Sequence, residues 1–268
     1  MNPAAALALF DHQIRQGLSA EPGVASSTLA RETVRVIGAE GSWATVVWSD
    51  LDESTADAAI AAQIARFALL GSDFEWKLYS HDHPSDLGQR LIAAGFRPGE
   101  EEALLLADTA ELPTAITLPE GVRLLPVTDA EGVRLVVRAH EEAFGTPHTS
   151  LERRLLAQLA DEPDAMAAVV AMAGDVPVCG ARIELSRGTR FASLWGGGTA
   201  PTWRGRGIYK ALVAYRTRIA IERGYRYLQV DAMPDSLPIL SRLGFVRLGT
   251  TVPYLYDPST PAPAHGAL

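Results

Sequence analysis

Apolar positions along this chain follow two periods, and the switches between them mark the elements. Short runs rich in β-branched and aromatic residues predict strands at 34–38 (VRVIG), 43–48 (WATVVW), 74–80 (FEWKLYS) and 101–108 (EEALLLAD). Residues 54–70 place apolar side chains at helical spacing until Gly71, behind a start made acidic by Asp50, Asp52 and Glu53. PSDLGQRLIAA predicts a further helix ended by Gly95. The opening MNPAAALALFDHQIRQG reads as a helix docking on this first block.

The rest of the chain repeats that ending behind a longer front. VRLLPV (122–127) predicts a strand, Asp129 starts a helix reaching about Phe144, and Thr149 or Ser150 caps a second helix over 149–160. AMAAVVAMAG, DVPVCGARIELSRG and TRFASLWGGGT predict three consecutive antiparallel strands with glycine-containing turns. A helix over 208–224 follows, then strand YRYLQVDA, a short helix ended by Gly244, and two final strands, FVRLGTT and PYLYD. LIAAGFRPG (91–99) matches ILSRLGFVRLG (239–249) around a Gly-Phe pair, each preceded by strand, proline, acidic residue and helix. That agreement in element order favours duplication of one fold unit over coincidence. Residues 110–122, with two prolines and a glycine, have the composition of a connector. The expected division is therefore 1–110, 120–258 and a Pro- and Ala-rich tail, 259–268, without fixed structure.

Composition narrows the class. The 268 residues are 47% hydrophobic and 21% charged, which fits two soluble domains, each able to bury a core. One cysteine, Cys179, excludes a disulfide framework and a Cys-based zinc site, and it suits a reducing cytosol, so a cytoplasmic location is expected. Within DVPVCGARIEL it reads as a small buried hydrophobe that carries no acyl group. No apolar run approaches the roughly 18 residues of a membrane span. A net charge of −8 argues against nucleic acid and favours cationic or neutral small partners. His81-Asp82-His83, with no third ligand in evidence, reads as a solvated turn, and no metal is expected.

The chemistry concentrates in FASLWGGGTAPTWRGRGIYKALVAYR (191–216). A strand runs through Pro201 into a turn with Gly205 and Gly207, and a helix opens at Ile208. A helix N-terminus leaves backbone N–H groups and a positive dipole end free for a diphosphate. The glycines let phosphate oxygens approach the backbone, and Arg204, Arg206 and Lys210 add cationic charge. A P-loop requires Gly-Lys followed by Ser or Thr, and this turn reads Gly-Ile-Tyr-Lys. A dinucleotide-binding unit needs a third glycine and a parallel βαβ start, whereas antiparallel strands precede this turn.

What remains resembles the GCN5-related N-acetyltransferase (GNAT) family, whose acetyl-CoA signature is Arg or Gln, two residues, Gly, one residue, then Gly or Ala. Arg204 and Gly207 match, and Tyr209 departs at the third position. The resemblance extends from about Val122 to Asp257. It implies a mixed α/β (α+β) fold with a largely antiparallel sheet flanked by helices, beside a smaller GNAT-like N-terminal domain. The first block has an acidic helix start where the turn would stand, so it reads as a degenerate half without cofactor. The family's splayed strand implies that backbone groups of Gly197 and Thr199 bind pantetheine. The turn from Arg204 through Gly205, Arg206, Gly207, Ile208, Tyr209 and Lys210 would hold the rest of acetyl-CoA.

The family's usual acid, a tyrosine four residues before the last helix's terminal glycine, is replaced by Leu240, and Met233 stands where an asparagine is common. Tyr209, Ser236, Ser241 and Tyr254 are the neighbouring hydroxyls, of which Tyr254 is the chosen donor to the departing thiolate. Glu184, on a central strand, is the first general base, with His140, Glu141 and Glu142 behind it. Phe144 and Trp195, with Glu141 and Glu142, are expected around the acceptor. The implied activity is direct acetyl transfer to a primary amine of a small molecule or peptide. The alternative is a non-catalytic acyl-CoA-binding module.

Overall fold

The computed structural model describes residues 1–17, 25–26, 33–37, 44–145 and 149–259. Gly38, Trp43 and the tail beyond residue 259 fall outside the described residues. In chain order the elements are α1 (Pro3–Phe10), β1 (Ala25–Ser26), β2 (Thr33–Ile37), β3 (Ala44–Ser49), α2 (Ala56–Leu70), β4 (Phe74–Tyr79) and α3 (Leu87–Ala93). Then come β5 (Arg97–Pro98), β6 (Glu102–Asp108), β7 (Val122–Val127), α4 (Ala130–Phe144), α5 (Thr149–Asp161) and β8 (Met166–Ala173). The chain continues with β9 (Val176–Leu185), β10 (Phe191–Thr199), α6 (Ile208–Glu222), β11 (Tyr227–Ala232), α7 (Leu237–Leu243) and β12 (Val246–Tyr256). Pairing is mostly antiparallel, with β10–β11 and β3–β4 parallel, so the fold is the expected mixed α/β type.

The described chain packs into two units. One consists of Met1–Ala6, Leu105–Val230 and Asp235–Val246. The other consists of Leu7–Leu104, Asp231–Pro234 and Arg247–Leu268 as far as it is described. Strand β6 lies beside β11 and contributes Leu105–Asp108 to the C-terminal unit, while β12 pairs with β4 over Thr251–Tyr256 in the N-terminal unit. The two expected final strands are one strand, β12, from Val246 to Tyr256.

In the C-terminal unit the strands run β6-β11-β10-β9-β8-β7. The apolar run of β8 is continuous because both of its faces are covered. Met166, Ala168, Val170 and Met172 face a core with Val133, Val136 and Val137 of α4 and Leu151 and Leu155 of α5. Val169 and Ala171 face a second core with Ile208 and Leu212 of α6. Asp129 begins α4 as the sequence indicates, its carboxylate accepting from the Gly132 N–H at 2.8 Å.

In the N-terminal unit the order is β1-β2-β3-β4-β12, with β5 on β12. Phe67, Phe74, Trp76, Leu91 and Phe96 form its core. The duplicated Gly-Phe caps are alike in their hydrogen bonds: Phe96 N–H donates to Leu91 O and Phe245 N–H to Leu240 O, behind left-handed Gly95 and Gly244. His81-Asp82 is not a solvated turn. Both residues grip Arg15, whose Nη2 reaches both Asp82 oxygens at 2.7 Å while Trp48 and Tyr79 cover its guanidinium. Burying an arginine demands such saturation, and Asp11 and the Val47 carbonyl supply the rest.

Candidate active site

The site begins where β10 leaves β11. Their parallel ladder covers Phe191–Ser193 against Tyr227–Gln229, while β10 itself continues to Thr199. Between Trp195 and Gly198 the register with β9 slips, and Gly196 adopts φ +58°, a left-handed turn that favours glycine. The strand therefore bulges in the middle and carries an edge beyond it that an extended ligand can pair with.

Side chains from both faces close on this bulge. A Cβ on Gly196 would stand 3.1 Å from Arg182 Nη1 and 3.6 Å from the His140 ring. One on Gly197 would stand 2.8 Å from the Tyr209 ring and 3.5 Å from Arg216 Nη2, and one on Gly198 would strike Phe144 and Ala143. The three glycines are thus packing requirements of the helices on either side. Trp195 lies beside Arg182, whose guanidinium carbon is 5.5 Å from the ring centroid. Arg182 Nε donates to Glu184 Oε1 at 3.0 Å, and the His140 ring lies tilted against Phe144, with centroids 4.4 Å apart.

Beyond the strand, Gly205 and Gly207 have φ of +76° and +84°, and a Cβ on either would meet nothing within 4 Å. They are glycine for the backbone turn, and the space before them is open. Gly207 offers α6 no side-chain cap, and the helix's first backbone bond runs from Ala211 N–H to Gly207 O. The N–H groups ahead of it point out of the helix end, as a diphosphate requires. Lys210 makes no hydrogen bond or ion pair among the described residues, whereas the two arginines are tethered. Arg204 donates to Thr199 O and Ala143 O, and Arg206 donates to Thr202 O and lies over Trp203. These residues fit the phosphates and pantetheine of acetyl-CoA.

The expected hydroxyls separate. The Tyr209 hydroxyl faces Ser236 and Arg216, and burial raises its pKa above the ordinary phenol value against the pull of Arg216. Tyr254 belongs to the N-terminal unit, where its hydroxyl sits against Gly88. Leu240 is core. The Cys179 thiol accepts from the Thr199 hydroxyl at 3.1 Å, and burial pushes it up to about 11. The expected acceptor group divides as well: Phe144 and Trp195 stand at the bulge, while Glu141 and Glu142 line a separate cleft of about 570 Å³ with Arg138 and Trp203. Sequence reading missed Arg182 and Arg216, since an arginine inside a strand or a helix carries no local signal of burial. Among the described residues no group of His, Cys, Asp or Glu has the makings of a metal site.

Residues 133–245 match the model of the acetyltransferase (GNAT) family. No curated protein sequence matches the chain. In fold the chain is similar to a GCN5-related N-acetyltransferase from Kribbella flavida, with 21% identity and a TM-score of 0.67, over 96% of this chain and 95% of that one. It is also similar to a functionally unknown conserved protein from Staphylococcus epidermidis ATCC 12228, at 14% identity and TM-score 0.65, covering 90% and 96% of the two chains. A tandem GNAT protein from the clavulanic acid biosynthesis pathway aligns at 12% identity and TM-score 0.58, over 85% of this chain and 79% of that one. Residues 133–245 thus carry a match to the acetyltransferase (GNAT) family, within a chain whose fold is similar to that of a GCN5-related N-acetyltransferase.

Proposed function

We propose that this protein transfers acetyl from acetyl-CoA directly to a primary amine of a small molecule or peptide, with one CoA site per chain. The observation that carries this reading is the uncapped N-terminus of α6 behind two left-handed glycines, at the end of a strand that parts from its neighbour. Gly197 and Thr199 offer backbone groups to pantetheine, and residues 204–210 with Lys210 take the diphosphate. The first half is read as a degenerate copy of the same unit in a cytoplasmic tandem protein. Support comes from the repeated Gly-Phe cap and from the Asp52 carboxylate, which already accepts from the Ser54 and Thr55 N–H groups ahead of α2. A helix start filled by its own carboxylate repels phosphate.

In the reaction the amine nitrogen bonds to the thioester carbon, the C–S bond breaks, and the ammonium proton leaves. Glu184, with Oε1 on Arg182, and His140, at the Gly196 bulge, are the two groups placed to take that proton. Nearby guanidinium charge disfavours a protonated amine and favours the departing thiolate. Burial keeps Tyr209 protonated through neutral pH, so its hydroxyl serves as a hydrogen-bond donor to that thiolate. The raised thiol of Cys179 supports direct transfer over an acyl-enzyme. Burial of Leu240 in the acid position favours a second reading, an acyl-CoA-binding module without turnover. Thiol release from acetyl-CoA with a mixed amine panel tests the two. CoA binding with no thiol released excludes the transferase, and no CoA binding excludes both.

A further inference from the structure

Where the register between β9 and β10 slips, an arginine of α6 reaches the two strands. Arg216 is 1% exposed; its Nε donates to Leu212 O at 3.0 Å and its Nη1 to Arg182 O at 3.1 Å. Nη2 is buried and completes no hydrogen bond, and a Cβ on Gly197 would stand 3.5 Å from it. Glu184, the acid of β9, is bound to Arg182, and among the described residues Arg216 makes no ion pair. Two carbonyls need donors, which a neutral side chain can supply; they do not need a full charge. A guanidinium does not escape burial by losing its proton, so a positive charge stands inside the unit with no carboxylate bound to it. Burial pulls its pKa down from the usual arginine value, and such a site gains most from an anion that arrives beside it.

We propose, resting on the acyl-transfer reading above, that Arg216 is the counter-charge that holds the departing sulfur of CoA as a thiolate. Position along the strand selects the sulfur. With the diphosphate at residues 204–210, pantetheine runs back along β10 past Thr199 to Gly197, so the thioester end comes last, at the bulge beside Nη2. When the amine nitrogen bonds to the thioester carbon and the C–S bond breaks, the electron pair leaves with sulfur. The amine's proton goes to Glu184 or His140, and the negative charge on sulfur stays against Arg216 until it takes up a proton on release. The Tyr209 ring would meet the same Cβ of Gly197 at 2.8 Å, and its hydroxyl, which faces Arg216, adds a hydrogen bond to the sulfur. Leu240 leaves the usual acid position without a proton to give, and a fixed charge takes over that role.

The test is the titration of CoA itself on the wild-type chain, read by the ultraviolet absorbance of its thiolate, with desulfo-CoA as the binding reference. The Cys179 thiol, raised to about 11, stays silent below pH 9. The bound CoA thiol should titrate at or below about 7.5, against about 8.5 for a free thiol. Calorimetry should then find CoA binding tightening at least about fivefold over desulfo-CoA between pH 6 and 8.5. Arg216→Met should return the thiol to about 8.5 and lower kcat at least tenfold, with acetyl-CoA affinity changed less than threefold. Arg216→Lys should keep part of the shift. A bound thiol that titrates at or above about 8.5 in the wild type overturns the inference without any variant. A lowered value that survives in folded Arg216→Met overturns it as well, and leaves Arg216 a structural support of the bulge. Failure to bind CoA at all would instead remove the transferase reading beneath it.

Discussion

Arg204 Nε donates to the carbonyl of Thr199 at 3.1 Å, so the turn is fastened to the last residue of the strand before it. Nη2 of the same residue reaches Ala143 O at 2.9 Å, at the end of α4. The sequence reading expects Arg204 to be a cation for phosphate, and in the structure it is a clamp that ties the turn to β10 and α4. Arg204→Gln is expected to weaken CoA binding about fivefold to tenfold, on the order of 1 kcal/mol, through loss of charge-assisted hydrogen bonds at an exposed site. Arg206→Gln should matter less, and calorimetry on both variants compares them.

Gly207 must be glycine for its backbone. With φ at +84°, Gly207→Ala strains the turn by roughly 1–2 kcal/mol, and Gly207→Glu adds a negative charge before the helix end. Binding should weaken in the first and vanish in the second. The wild-type chain should bind one CoA. Two equivalent sites by calorimetry would contradict the capped start of α2.

Tyr209→Phe is expected to lower kcat at least tenfold with CoA affinity nearly unchanged, because its ring lies against Gly197 and its hydroxyl faces Ser236 and Arg216. Tyr254→Phe is the control, since its hydroxyl packs against Gly88. The reverse pattern under saturating acceptor would restore Tyr254 to the donor role. Normal turnover in both means the thiolate leaves unaided.

Glu184→Gln and His140→Gln separate the two proton acceptors. The larger fall in kcat should follow removal of the residue that takes the proton. If Glu184 serves only to hold Arg182, Glu184→Gln changes KM more than kcat.

The buried Cys179 thiol should resist a thiol-reactive dye at pH 8 in the native protein and react once unfolded. Its folded-state pKa, raised by burial to about 11, exceeds its unfolded value near 9.0. The native state therefore binds the extra proton between those values, and this contribution is complete below about pH 9 and lost as pH rises toward 11. Urea midpoints at pH 8 and 10 should fall further for wild type than for Cys179→Ala.

Neither half is expected to fold alone when cut at the connector. Residues 1–110 lack β12, which pairs with β4 over Thr251–Tyr256, and residues 120–258 lack β6, which lies beside β11. Each fragment leaves an open strand edge. Circular dichroism and urea unfolding should find no cooperative transition in either, and recovery on mixing.

Much of this molecule was legible because its signals are local. Asp129, Gly71 and Gly244 set the ends of helices through hydrogen bonds within a few residues, the alternating faces of β8 follow from period two, and Gly205 and Gly207 mark their turn by backbone requirement alone. Tertiary structure decided the rest. The exchange of β6 and β12 between units depends on strand edges distant in sequence, and no periodicity records which edge a strand will meet. Arg15, Arg182 and Arg216 look like surface residues in a sequence, because burial of an arginine is set by carboxylates and carbonyls that arrive from other elements. For the same reason the sequence reading chose Tyr254 as donor to the thiolate, whereas packing sets its hydroxyl against Gly88 in the N-terminal unit and brings the Tyr209 ring to Gly197.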